Sequence, residues 1–75
     1  MTIADDLRAA REAAALSQSA LARACAEQAG GEADTWRQSI MRYERGDGEP
    51  GIATATAVAE ALGLRLALVP TEEER

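Results

Sequence analysis

Apolar residues recur along this chain at spacings of three and four, and polar or glycine-rich stretches cut the recurrence into separate helical segments. Ile3, Leu7, Ala10 and Ala14 form the first stripe, a helix over residues 3–14. Asp5 and Asp6 stand in its first turn, where the helix dipole favours negative charge. Leu16 closes that segment, and Ser17 caps a second helix from about Gln18 to Gln28. On it Leu21 and Cys25 are four apart, with the small Ala22 beside them. Gly30-Gly31 breaks the pattern. A third helix runs from Thr35 to Gly46, with Ile40 and Tyr43 on one face, Thr35 as candidate N-cap and Gly46 as the stop. Glu32 and Asp34 can equally form its first turn. Asp47-Gly48-Glu49-Pro50-Gly51 is a loop by composition. Ile52, Ala55, Ala59 and Leu62 then share one face of a fourth helix, with Val58 at its edge and Gly63 at its end.

From Leu64 the period changes. Leu64, Leu66 and Leu68 alternate with Arg65, Ala67 and Val69, which is a strand signal, and Pro70 ends it. A lone strand leaves backbone N–H and C=O groups unpaired. The simplest partner is the same strand of a second copy across a two-fold axis, with Leu64, Leu66, Leu68 and Val69 as the dimer interface. The competing arrangement is a fifth short helix or a tail folded on the core. The expectation is one all-α domain over residues 1–75. It comprises a compact four-helix body at 3–63, a C-terminal strand at 64–69 and an acidic tail at 70–75.

With 75 residues, a single cysteine and no histidine, several classes drop out. A disulfide framework and a zinc site lack ligands, and a serine or cysteine nucleophile lacks its ordinary base. No glycine-rich phosphate loop is present. The chain therefore reads as no enzyme, with no cofactor and no metal, and Cys25 as a small core residue rather than a redox thiol. No apolar run approaches the ~20 residues of a membrane span, and the N-terminus lacks the succession of a signal peptide, so a cytoplasmic protein with no membrane partner is expected.

A net charge of -5 argues against a non-specific nucleic-acid binder. The charge is uneven, however. Arg37, Arg42 and Arg45 face only Glu44 within residues 36–46, while much of the acid lies in Asp5, Asp6, Asp47, Glu49 and Glu72 to Glu74. Either these arginines merely solvate an exposed helix, or an acidic body carries a local basic face for DNA.

Three blocks in order carry a resemblance. They are Leu16-Ser17-Gln18-Ser19-Ala20-Leu21-Ala22, then Ser39-Ile40-Met41-Arg42-Tyr43-Glu44-Arg45-Gly46 with Pro50, then Ala59-Glu60-Ala61-Leu62-Gly63. Over residues 3–63 the chain resembles the lambda-repressor-like helix-turn-helix family of Cro, CI and XRE-type regulators. The resemblance implies that Gln18 touches a phosphate and supports base reading. It places Arg37, Gln38 and Arg42 on the base-contacting face, with Thr35 and Ser39 as backbone or edge contacts. It also implies a largely buried Arg11–Glu44 salt bridge and core positions at Leu7, Leu21, Ile40 and Leu62. Trp36 either wedges against the DNA backbone or covers the connection before it as a hydrophobic lid.

The chain departs from that family pattern in three ways. The connection through Gly30-Gly31-Glu32-Ala33-Asp34 is long, so either both helices extend by about a turn or a loop protrudes. Asp47 and Glu49 stand in the loop where basic residues often meet the DNA backbone, so affinity suffers or the loop points away. The usual fifth helix is replaced by the strand at 64–69, as in some small repressors and antitoxins. The implied function is a sequence-specific regulator of double-stranded DNA, a repressor acting as a homodimer on a palindromic operator. The alternative is a protein-interaction module, such as an antitoxin whose main partner is a toxin or another protein.

Overall fold

The computed structural model describes residues 2–64, which form four helices and, among the described residues, no strand. Helix α1 spans Ile3–Ala13. Thr2 starts it with a reciprocal cap: its hydroxyl accepts from the Asp5 N–H at 3.1 Å, and the Asp5 carboxylate accepts from the Thr2 N–H at 3.4 Å. At the other end Ala15 adopts a left-handed φ of 60°, and the Leu16 N–H donates to the Arg11 carbonyl at 3.2 Å. This is a helix stop normally given to glycine. The expected stripe needs correcting here. Ala14 lies beyond the last helical residue and is exposed, and Ala4 joins Leu7 in the core instead.

Helix α2 spans Gln18–Ala29, and the Ser17 hydroxyl accepts from the Ala20 N–H at 3.0 Å as its cap. Leu21, Ala22 and Cys25 are buried. Helix α3 spans Ala33–Arg45 and helix α4 spans Ile52–Ala61. Both α3 and α4 pack on α2, and α1 touches α3 and α4. Ala22 lets backbones come close at the centre of this arrangement.

The largest fully buried side chains are Leu21, Cys25, Ile40 and Val58, from three different helices. Each apolar one contributes about 1.5–3 kcal/mol of burial. On α4 the packed row is Ala55, Val58 and Ala59, with Leu62 half-buried against it, so Val58 is central and not at the edge. Ile52 shares the row but occupies the first helical position, ahead of the packed segment, and is 70% exposed. Gly63, at φ +76°, ends the helix, and the Leu64 N–H donates to the Ala59 carbonyl at 2.8 Å. Leu64 is thus a helix-stop residue in its backbone, with an exposed side chain. The remaining positions of the expected strand, 65–69, lie outside the described residues. No helix among the described residues is long and apolar enough to cross a membrane.

Candidate nucleic-acid interface

The long connection between α2 and α3 resolves into longer helices. Only Gly30, Gly31 and Glu32 separate them, so no extended loop protrudes. Gly30 and Gly31 both take left-handed φ values, +85° and +89°. The Trp36 indole Nε1 donates to the Gly30 carbonyl at 2.7 Å, and its half-buried ring packs against the core. A Cβ on Gly31 would stand 3.3 Å from that same nitrogen. Trp36 is therefore the clip that closes the turn, as a lid would.

One expectation fails at the helix start. Thr35 does not cap α3, because the helix begins two residues earlier, at Ala33. The N-cap is Glu32, whose side chain makes no capping hydrogen bond. Thr35 stands instead in the exposed first turn.

From that start α3 divides cleanly. Ile40 and Tyr43 point into the core, and Trp36 lies partly against it. Asp34, Thr35, Gln38, Arg42 and Arg45 are exposed and follow spacings of three and four, which places them on one outward stripe. Arg37 and Ser39 are half-buried and flank the stripe. The expected base-reading set is thus brought to one side of one helix, with Gln38 and Arg42 at its centre. The Arg42 side chain has no hydrogen-bond or ion-pair partner among the described residues. Arg37 does. Its Nη2 donates to Asp34 Oδ1 at 2.9 Å and its Nη1 to the Met41 sulfur at 3.3 Å. Gln38 Nε2 donates to Asp34 Oδ2 at 3.2 Å.

Behind the stripe, one polar network fixes α3 to the body. Arg11 Nε and Nη2 donate to the two Glu44 carboxylate oxygens at 2.8 and 2.9 Å. Arg11 Nη1 donates to the Leu16 carbonyl at 2.8 Å, tying the end of α1 to the same network. Gln18 Nε2 donates to Glu44 Oε1 at 2.8 Å. The Glu44 side chain is only 4% exposed and that of Arg11 12%. Burial opposes charge on Glu44, but the hydrogen bonds from Arg11 and Gln18 and the guanidinium charges outweigh it, so its carboxyl is held below the usual carboxylate range. Arg11 is raised by its hydrogen bond to Glu44. Gln18 is thus a half-buried spacer between this network and the first turn of α2.

The acidic loop lies beside the end of the stripe. Asp47 and Glu49 line one cleft with Ser39, Arg42 and Thr54. Arg45 Nε donates to Asp47 at 2.8 Å, so that carboxylate is already partnered. Cys25 is buried, and burial pushes its thiol up, away from the reactive thiolate. Among the described residues no three histidine, cysteine or acidic side chains gather as a metal site.

The partners Asp34 and Met41 were not read from the sequence, nor was the Gln18–Glu44 bond. Asp34 is three and four residues before Arg37 and Gln38, a spacing that pairs side chains on any helix. That signal becomes usable only once the helix start is placed at Ala33. Compared with protein-family models, curated proteins and solved structures, the chain matches none.

Proposed function

We propose that the chain is a sequence-specific regulator of double-stranded DNA, with α2 and α3 acting as a lambda-repressor-like helix-turn-helix and α3 entering the major groove. The observation that carries this is the outward stripe of α3. It offers Gln38 and an Arg42 whose side chain has no partner among the described residues, on a helix locked from behind by the Arg11–Glu44–Gln18 network. A guanidinium suits the O6 and N7 acceptors of guanine, and a carboxamide the N6 and N7 of adenine. Arg37 stands beside these two on the base-contacting face, Thr35 and Ser39 serve backbone or edge contacts, and Gln18, its amide bonded to Glu44, supports α3 from behind. Trp36 shapes the entrance of the helix and does not read bases.

The protein acts as a repressor in the form of a homodimer, through the segment beginning at Leu64. Two α3 helices then meet half-sites about one turn, ~34 Å, apart on a palindrome. The acidic loop beside Arg42 weakens the phosphate contribution, so affinity depends on base contacts more than on charge.

Selection from a random duplex library, followed by titration at several salt concentrations, tests this. A palindrome is expected to emerge, with a shallow dependence of log K on log salt. Failure to enrich any sequence over random DNA overturns it.

A further inference from the structure

We infer that Asp34 is a specificity-determining residue of the α3 surface, an acceptor that joins Arg37 and Gln38 into a single reading unit. This rests on the proposed DNA-reading role of α3. The two oxygens of the carboxylate take one neighbour each, Arg37 at 2.9 Å and Gln38 at 3.2 Å. Two side chains that would otherwise sample many rotamers are held by one group on the same exposed stripe. Asp34 itself stays open to solvent, with its side chain 66% exposed.

A carboxylate has about four acceptor positions, so after these two bonds it still offers lone pairs outward. The unit therefore presents an acceptor beside two donors. In a major groove the acceptor matches the N4 amine of cytosine. Guanine O6 or N7, or thymine O4, in that place sets lone pair against lone pair, and the mismatch rejects those bases. The same charge repels phosphates, which lowers binding to random duplex. Asp34 exchanges raw affinity for selectivity.

The test compares the full chain with Asp34→Asn and with Glu32→Gln on duplexes selected by the wild type. Asn keeps the shape but replaces one acceptor oxygen with a donor amide and removes the charge. Glu32→Gln removes a charge two residues away from a side chain that makes no capping hydrogen bond. Circular dichroism melts confirm that all three fold. Asp34→Asn is expected to lose about fivefold or more in preference at one base pair of each half-site, the ratio worth about 1 kcal/mol, and to bind random duplex more tightly. Glu32→Gln is expected to keep the wild-type preference. An unchanged preference in Asp34→Asn overturns the role of Asp34 and leaves the α3 interface standing. Equal behaviour of the two variants also overturns it, because bulk charge then suffices. A wild type that enriches no sequence overturns the interface and this inference together.

Discussion

Replacing Arg11 by Met removes one partner of an ion pair whose other member, Glu44, is 96% buried in its side chain, since only 4% is exposed. The guanidinium forms two bonds to that carboxylate, at 2.8 and 2.9 Å, and a third to the Leu16 carbonyl. In the variant Gln18 is the one side chain among the described residues that still donates to the charge. Breaking a buried pair from one side costs about 3–5 kcal/mol. A chain of 75 residues has roughly 4–11 kcal/mol in all. Arg11→Met should therefore lower the melting midpoint by about 12 °C or more, if it folds at all at 25 °C. The double variant Arg11→Met/Glu44→Leu, which leaves no buried charge, should recover most of the loss. Urea denaturation followed by circular dichroism measures the cycle. A cost below about 1 kcal/mol for Arg11→Met, the value of a solvated surface pair, would refute the reasoning. So would a double variant no more stable than the single.

Three smaller tests address the helix ends and the pH response. Ala15→Gly relieves a left-handed alanine at the end of α1 and should stabilise by about 0.5–1 kcal/mol in the same assay; a loss would show that the αL strain is not there to relieve. Gly31→Ala combines φ +89° with a Cβ 3.3 Å from the Trp36 nitrogen, and should cost about 1 kcal/mol or more, with a change in Trp36 fluorescence. Acidification should destabilise the fold. Glu44 is depressed below its ordinary value of 4.5, so its contribution is present above about pH 4.5 and is lost as pH falls through the lower folded value. In Glu44→Gln that acid slope should flatten, and an unchanged slope would assign the acid response to other carboxylates.

The helical body was legible because glycine, serine and proline punctuate it. Ser17 capped α2, and Gly46 and Gly63 stopped α3 and α4, at the residues where the spacing of apolar positions ran out. The failures have a common origin in small or weakly signalled residues. Ala4 and Ala14 are chemically identical, and the stop at Ala15, made without glycine, takes Ala14 out of the helix while Ala4 stays on the Leu7 face. Thr35 was a plausible cap because hydroxyls usually fill that role, yet α3 starts at a residue whose side chain gives no capping bond to betray it. Ile52 follows the apolar spacing but stands ahead of the packed part of α4, and spacing does not report where a neighbouring helix ends. The Arg11–Glu44 bridge was implied by the family resemblance alone, since the two residues are 33 positions apart. The clustering of Gln38 and Arg42 followed from the period, whereas the hold of Asp34 on Arg37 and Gln38 depended on the correct helix start.

The central claim is that α3 reads base sequence through Arg42. The direct measurement is a titration of wild type and Arg42→Ala on the selected duplex and on the same duplex with one base pair changed in each half-site. Wild type should prefer the selected duplex, and Arg42→Ala should lose about 1–3 kcal/mol of that preference at one position while keeping its fold. Equal discrimination by the two proteins would contradict the claim and leave Arg42 a solvated surface residue.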